Sequence, residues 1–486
     1  MSASARPPGA ALAWRDGALL FVVGLAARAL AVAWAASRFP PTADGHFYDV
    51  IAQRIAEGHG YTWLWPDGAV TYAAHYPVGY PALVGALYAL GGPHPALAMG
   101  ANALVGALAV PAVYAVAGRA ASRPGALVGA LLVALHPGLV FYTPALMTEG
   151  VVAALVAVAA WLAVRASESL RGPRAAWLVG LGLLLGATTM VRPQSLLLAP
   201  LFGALAIGPV SARARRLRRA ALVRRSAGAA LVTALAVAVC VPWTARNCAR
   251  MGRCAFVSVN GGWNLYIGAA PGATGSWVSL DALGVPASCR AVFAEAEKDA
   301  CFGRAALQEI ARAPLRYLAL APSKLAVTFD YSGAPGWYLH QANPAAFDER
   351  DKLRLGVLET AWERLASLLA LVALARAEGP RRRARGALAG LAGLWFFTRA
   401  AWVGTLGLVA VAALLGRRLA EHPPALLVAG TLALTALTHA VFFGAGRYSL
   451  VCFALLPALS GAAWRREAPR ADDSSRGARP DAAVGF

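Results

Sequence analysis

Four short stretches of an otherwise apolar chain place charged side chains beside long apolar segments. They contain Asp44, Glu149, Arg192, and Arg447 followed by Tyr448. A charge at the rim of a membrane bundle is costly unless it is used or neutralised, so each is a functional candidate. The Asp44 carboxylate could take a proton from an acceptor hydroxyl while that oxygen attacks an anomeric carbon. Guanidinium groups pair bidentately with phosphate oxygens, so the two arginines predict a phosphate clamp.

Each of these residues also has a purely structural interpretation. Asp44 could cap a helix that runs to Gly58. Glu149 could sit in the first turn of a helix, where the macrodipole favours an acid. Arg192 and Arg447 could form structural salt bridges with the two carboxylates. The catalytic interpretation gains weight because all four residues fall on one face of the membrane in the topology given below.

Aromatic and amide side chains supply a second set of candidates. Trp263 and Asn264 lie in a glycine-rich stretch, and such groups suit the faces and hydroxyls of sugars. Tryptophans that only anchor a helix at the membrane interface would look similar. His75, followed by Tyr76, could bind phosphate or a metal, but it lacks a partner pattern. No phosphate loop, nucleotide-binding glycine motif or Ser-His-Asp signature is present. We therefore expect no required cofactor; a divalent metal is compatible with the sequence but not indicated.

These residues must be positioned by an α-helical membrane bundle. Hydrophobic residues make up 58% of the 486 positions, charged residues 14%, and the mean hydropathy is +0.55. Apolar runs approach the roughly 20 residues that a helix needs to cross a bilayer, which predicts an all-α polytopic protein of about ten to twelve transmembrane helices. The expected spans are residues 17–36, 96–118, 124–142, 146–165, 175–191, 194–209, 226–243, 354–375, 424–443 and 447–464, with a tight hairpin at 387–415.

The charge distribution orients this bundle. The net charge is +21, and the arginines cluster at the ends of apolar runs, as expected for cytoplasmic loops rather than for nucleic-acid binding. We predict a transmembrane catalytic module at 1–243 with a first external loop at 37–95. An external region at 244–352, C-terminal helices at 353–464 and a disordered cytoplasmic tail at 465–486 follow. The first apolar run is expected to be a retained signal anchor, and residues 80–90 a helix at the membrane surface.

Four of the six cysteines fall in the second external region. Cys248 with Cys254, and Cys289 with Cys301, are therefore expected to form disulfides, which persist in oxidising compartments. Free thiols are the alternative interpretation.

The order of the motifs resembles that of the GT-C membrane glycosyltransferases, in the family of protein O-mannosyltransferases and lipid A aminoarabinose transferases. The resemblance extends to about residue 463. It rests on these motifs: Asp44 with Tyr48, Ile51 and Ala52; Gly58-His59-Gly60-Tyr61; Tyr76-Pro77-Val78-Gly79-Tyr80-Pro81; Met147-Thr148-Glu149; Arg192-Pro193; Pro242-Trp243-Thr244-Ala245-Arg246-Asn247; and Arg447-Tyr448.

The resemblance implies a polyprenyl-phosphate sugar donor and an inverting single displacement in which Asp44 is the base. The family commonly has an acidic pair at this point, whereas Gly45 follows Asp44, which favours a general bacterial member over a protein O-mannosyltransferase proper. The expected partners are this donor, membrane lipids, and a lipid, glycan or protein acceptor.

The expected location is the cytoplasmic membrane, with the site facing the periplasm or exterior. A glycan polymerase or ligase would share carrier and compartment. A transporter or flippase of lipid-linked glycans is the alternative from a different class, although transporters concentrate polar residues at the bilayer midplane.

Overall fold

The structure, a computed structural model, describes residues 8–208 and 215–464. The predicted tail at 465–486 lies outside these residues. The helices of the first half are α1 (Pro8–Ala35), α2 (Asp44–Ala56), α3 (Gly79–Gly91), α4 (Pro95–Ala107), α5 (Ala109–Ala117), α6 (Arg123–Ala134), α7 (Pro137–Phe141), α8 (Thr148–Glu168), α9 (Arg171–Val191), α10 (Leu198–Ala206) and α11 (Arg215–Arg250). Two short strands, β1 (Thr62–Leu64) and β2 (Val70–Tyr72), form an antiparallel hairpin after α2.

The second half is also helical. Its helices are α12 (Gly261–Ala269), α13 (Leu280–Leu283), α14 (Glu295–Arg312), α15 (Pro314–Ala319), α16 (Ala321–Phe329), α17 (Ala334–Ala342), α18 (Glu349–Arg376), α19 (Arg382–Trp395), α20 (Ala401–Ala413), α21 (Pro423–Val441), α22 (Leu450–Leu455) and α23 (Pro457–Ser460). Short 3₁₀ turns cover Pro193–Leu197, Ala287–Cys289, Gly416–Glu421, Gly446–Ser449 and Gly461–Ala463.

The predicted polytopic all-α architecture is confirmed. Among the described residues, eight helical segments are long and apolar enough to cross a membrane: Trp14–Ala35, Pro95–Ala117, Arg123–Phe141, Thr148–Glu168, Gly172–Val191, Arg219–Arg250, Pro423–Val441 and Gly446–Ala463. Three shorter apolar helices, Gly79–Gly91, Pro193–Ala206 and Ala401–Ala413, add to these. The predicted span at 354–375 is observed as α18, which is long but carries Glu359, Glu363 and Arg364 in its middle.

Prolines explain three of the differences between the expected and the observed helix boundaries. Three spans expected to be continuous, at 96–118, 124–142 and 447–464, are broken near Leu108, His136 and Leu456. A proline follows each break by one to three residues, and its ring clashes with the carbonyl four positions earlier. The span expected at 226–243 is longer, because α11 continues through Pro242 to Arg250. The expected hairpin at 387–415 is observed as α19 and α20, separated by residues 396–400.

Ion pairs mark one end of the bundle. Arg123 Nε lies 2.8 Å from Asp16 Oδ2, and Arg119 lies 2.6 Å from Glu168. These pairs tie the first half of α1 to the start of α6, and the loop after α5 to the end of α8. The arginine-rich loops therefore meet at the end opposite to the one that carries Asp44 and Glu149, as the charge distribution predicts.

The segment between α11 and α18 is built around its own small core and two disulfides. Cys248 is bonded to Cys254, and Cys289 to Cys301, in the pairing expected from the sequence. The second bond joins the 3₁₀ turn at 287–289 to α14 next to the buried Phe302. Cys240 and Cys452 are free and buried.

We predict that this pairing is present in the isolated protein. Alkylation of the denatured chain without reductant should modify two cysteines, Cys240 and Cys452, and alkylation after reduction should modify all six. Disulfides persist only in oxidising compartments, so the result also reports on which side of the membrane this segment lies. Six reactive thiols before reduction would contradict both the pairing and an external location.

Candidate functional site

A cavity of about 650 Å³ opens at the end of the bundle opposite to the arginine-rich loops. Its polar floor contains Asp44, Glu149, Arg192 and Arg447. Aromatic and amide side chains of the segment after α11 cover it, and apolar residues of α21 border it: Phe256, Trp263, Asn264, Trp277, Leu437 and Val441. Its volume and mixed lining are typical of a site for an organic ligand with a few polar anchors.

Asp44 is the first residue of α2, but its carboxylate does not cap that helix. The residue before the helix is Ala43, and no side chain caps the helix there. Both oxygens of Asp44 are bonded elsewhere: Tyr76 Oη donates to Oδ1 at 2.8 Å, and Arg447 Nη1 donates to Oδ2 at 2.9 Å. The Asp44 side chain is 24% exposed, so it stays accessible from the cavity. The helix-cap interpretation of Asp44 is therefore wrong.

Glu149 links the two arginines. Arg192 Nη1 lies 2.5 Å, and Arg447 Nε 3.3 Å, from the same oxygen, Glu149 Oε1. Glu149 Oε2 is buried and has no hydrogen-bond partner. Both guanidinium groups also lie over the ring of Tyr448, at 4.9 and 5.3 Å from its centroid. Asp44, Arg447, Glu149 and Arg192 thus form a row of alternating charge, and the two arginines make the salt bridges of the structural interpretation.

Local backbone rules place both arginines. Arg192 ends α9 in an extended conformation (φ −144°, ψ 114°), as expected for a residue that precedes proline. Arg447 follows Gly446 in a 3₁₀ turn. A Cβ on Gly446 would lie 2.2 Å from the carbonyl oxygen of Ser332, so only glycine allows this close approach. The turn is therefore held against the segment before α17, with Arg447 directed to Asp44.

The turn before Asp44 is strained. Ala43 has φ 51° and ψ −132°, and Gly45 N donates to Thr42 O at 2.9 Å. These values match a type II′ turn, in which this position is normally glycine. A non-glycine residue in such a conformation costs on the order of 1–3 kcal/mol and persists only where the surroundings enforce it.

The other end of the cavity is aromatic. The ring of His75 lies 4.7 Å from that of Tyr76 and 5.5 Å from that of Trp263. Asp299 fixes the start of α12, because its carboxylate accepts a hydrogen bond of 2.8 Å from the backbone of Trp263. Asn264 follows on the same helix and also lines the cavity.

Two shifted pKa values define the charge state of the cavity. Burial raises the pKa of Asp44, but Arg447 and the hydrogen bond from Tyr76 outweigh it and hold the pKa below its ordinary 3.8. Burial lowers the pKa of His75 to about 4, although the charge of Asp44 opposes this. At neutral pH, Asp44 is therefore a carboxylate and His75 a neutral imidazole.

All nine residues predicted from the sequence as catalytic or substrate-binding line this one cavity: Asp44, His75, Tyr76, Glu149, Arg192, Trp263, Asn264, Arg447 and Tyr448. Their roles remain predictions. No group of three metal-ligating side chains was found in the described residues.

His439 and Thr148 also line the cavity but were not among the residues predicted from the sequence. The His439 ring is stacked on Tyr448 with centroids 4.2 Å apart, and its Nδ1 lies 2.9 Å from Phe443 O. The sequence offered one indication that His439 belongs to the site, because it is an ionisable residue near the end of a long apolar run. Thr148 accepts a hydrogen bond of 3.4 Å from Arg192, and it belongs to the Met-Thr-Glu motif already noted.

The family model for dolichyl-phosphate-mannose-protein mannosyltransferase matches residues 75–245. This match supports the GT-C glycosyltransferase resemblance predicted from the sequence over these residues. The matched residues include His75, Tyr76, Glu149 and Arg192. A comparison with curated proteins found no match.

Solved structures that match this chain include an oligosaccharyltransferase from Archaeoglobus fulgidus tethered with an acceptor peptide (TM-score 0.47, 15% identity, 93% of this chain and 49% of that chain). They also include oligosaccharyltransferase AglB from Archaeoglobus fulgidus in complex with an inhibitory peptide and a dolichol-phosphate (0.46, 16%, 93% and 50%). A third is ArnT from Cupriavidus metallidurans bound to undecaprenyl phosphate (0.40, 18%, 92% and 76%). The chain spans about half the length of the archaeal proteins.

Proposed function

We propose that this chain, whose residues 75–245 match a mannosyltransferase family, is a polyprenyl-phosphate-sugar-dependent glycosyltransferase. It moves one sugar, with inversion, to an acceptor hydroxyl. The cavity opens to the external face of the cytoplasmic membrane. The acceptor hydroxyl belongs to a lipid, a glycan or a protein. The observation that carries the proposal is the placement of two arginines beside an accessible carboxylate in one cavity.

The arginines suit a lipid phosphate. The donor is a phosphodiester, and its leaving group is polyprenyl phosphate. This phosphate gains negative charge as its bond to the sugar breaks. Guanidinium groups fixed near that oxygen stabilise the developing charge, so the chemistry does not require a metal. Arg192 and Arg447 are already held by Glu149, which limits the ordering needed on binding.

Asp44 suits the role of general base better than Glu149 does. Glu149 is 1% exposed, and one of its oxygens is shared by both arginines, so it is much less accessible to an acceptor hydroxyl than Asp44 is. Asp44 faces the cavity, is ionised at neutral pH and can accept the hydroxyl proton. The oxygen then bonds to the anomeric carbon while the bond from that carbon to the phosphate oxygen breaks. This single displacement inverts the configuration.

The aromatic end of the cavity suits the sugar. The ring of Trp263 and the amide of Asn264 offer a stacking face and hydrogen bonds beside the neutral His75. Such a lining orients a pyranose or furanose ring without adding charge.

The experiment that tests this function is a donor panel. The purified protein is incubated in detergent with radiolabelled sugars on polyprenyl phosphate and, in parallel, with the corresponding nucleotide sugars, and membrane fractions serve as the source of acceptor. We expect one polyprenyl-phosphate sugar to be consumed and no nucleotide sugar. If neither class is consumed while the protein still binds polyprenyl phosphate, the enzyme proposal fails and transport of lipid-linked glycans becomes the leading function.

A further inference from the structure

Tyr338, on α17, lies outside the cavity lining and was not a candidate from the sequence. Its side chain is 1% exposed. The hydroxyl accepts a hydrogen bond of 3.2 Å from the backbone of Thr42 and one of 3.4 Å from the backbone of Leu146. Thr42 begins the strained turn before Asp44, and Leu146 lies three residues before Glu149. One hydroxyl therefore joins the two backbone segments that carry the carboxylates.

The space around this hydroxyl explains why glycine follows Asp44. A Cβ on Gly45 would lie 2.7 Å from Tyr338 Oη and 3.1 Å from Leu146 O. An acidic side chain in place of Gly45 would therefore clash with both of these oxygens. The hydroxyl of Tyr338 thus lies where the side chain after Asp44 would otherwise project.

The segment that carries Tyr338 is itself anchored in the bundle. Gly333 N donates to Glu359 Oε2 at 2.8 Å, and the hydroxyl of Ser332 donates to Glu363; both acids are buried on α18. The carbonyl oxygens of Tyr331 and Ser332 pack against Gly446, next to Arg447. The segment 331–338 therefore reaches the backbone beside Asp44, the backbone before Glu149 and the backbone beside Arg447.

We propose that Tyr338 is a positioning residue: its hydroxyl holds the strained turn at Ala43, and so fixes the Asp44 carboxylate relative to Glu149 and Arg447. This inference rests on the proposed function. Without the hydroxyl, the turn can relax to a conformation that alanine prefers, and Asp44 moves away from the acceptor. The strain at Ala43 makes this relaxation favourable.

The positive φ at Ala43 also suggests a second substitution that should restore the activity lost in Tyr338→Phe. Glycine adopts the type II′ conformation without strain. Tyr338→Phe should therefore lower kcat for sugar transfer by about 10- to 100-fold, with the KM for the donor changed by less than about threefold. Tyr338→Phe combined with Ala43→Gly should recover at least about fivefold of that loss, because the turn keeps its shape without the hydroxyl. Gly45→Ala, whose methyl group would displace the hydroxyl, should lower kcat as Tyr338→Phe does.

Tyr114→Phe is the matched control. Its hydroxyl donates to Asp16 Oδ2 at 2.6 Å at the opposite end of the bundle, and its loss should leave kcat unchanged. Full activity of Tyr338→Phe would overturn the proposal. So would a loss that Ala43→Gly does not recover, or a loss fully explained by a lower fraction of folded protein in thermal unfolding.

A second measurement separates this proposal from the proposed function. Asp44→Cys is alkylated by a water-soluble thiol reagent, alone, together with Tyr338→Phe, and together with both Tyr338→Phe and Ala43→Gly. We expect the alkylation rate to change by at least about threefold with Tyr338→Phe and to return towards the starting value with Ala43→Gly. This holds whether or not any sugar donor is consumed, so failure of the donor panel alone leaves the positioning role standing. Equal rates in all three backgrounds would overturn it.

Discussion

Asp44→Asn is expected to lower kcat for sugar transfer by about a thousandfold, within the range of 10²–10⁴ that general base catalysis contributes. The amide is nearly isosteric and can still accept the hydrogen bond from Tyr76, which is 2.8 Å long in the structure. It cannot take a proton from the acceptor hydroxyl, and it loses the charge that pairs with Arg447. The KM for the donor should change much less, because the arginines that bind the phosphate remain.

Asp49→Asn is the matched control for this change. Asp49 lies on the same helix and is buried, but its carboxylate accepts hydrogen bonds from Tyr88 and Gln53 away from the cavity. We expect this variant to keep most of its kcat, provided that thermal unfolding shows it to be folded. Similar losses in the two variants would mean that Asp44 acts on the fold rather than on the reaction.

Arg447→Met is expected to lower kcat/KM by about 10²–10³-fold, because one of the two cations that stabilise the departing phosphate is removed. It should also change the pH profile. In the wild type the pKa of Asp44 lies below 3.8, so the rate should not fall between pH 8 and about pH 5. Burial raises the pKa of Asp44, and without Arg447 only Tyr76 and Arg192 remain to lower it, so the pKa should be higher than in the wild type. The residual rate should then fall as the pH is lowered through this higher pKa.

The pH dependence distinguishes this explanation from loss of donor binding alone. Arg354→Met, at an exposed position of α18, serves as the control for removal of an arginine and should keep the wild-type profile. A variant at Arg447 that lost activity equally at all pH values would show that Arg447 binds phosphate without setting the charge of Asp44.

Much of the site was predictable because charge is rare in this chain. Asp44, Glu149, Arg192 and Arg447 stand out against apolar segments, and the arginine-rich loops place all four on one side. The element types were predictable for the same reason, since a long apolar run has few alternatives to a helix. The breaks near Leu108, His136 and Leu456 could also have been inferred from the prolines that follow them.

The remaining features depend on contacts between residues far apart in the chain. Nothing near Ala43 in the sequence indicates a positive φ, because the strain is enforced by Tyr338, almost three hundred residues later. The stacking of His439 on Tyr448 likewise requires α21 and the turn at 446–449 to meet. A helix cap for Asp44 was reasonable from local sequence alone, and it is wrong because Tyr76 and Arg447 compete for the same carboxylate.

The row of alternating charge has a consequence for the order of events under the proposed function. Asp44, Arg447, Glu149 and Arg192 sum to zero, so an arriving phosphate meets a self-neutralised site rather than a positive one. The phosphate can form an ion pair with Arg192 or Arg447 only if Asp44 or Glu149 releases that arginine. An incoming donor that draws Arg447 away from Asp44 would raise the basicity of that carboxylate. The base would then reach full strength only with the donor in place, so the acceptor hydroxyl would be activated in the same complex that holds the sugar.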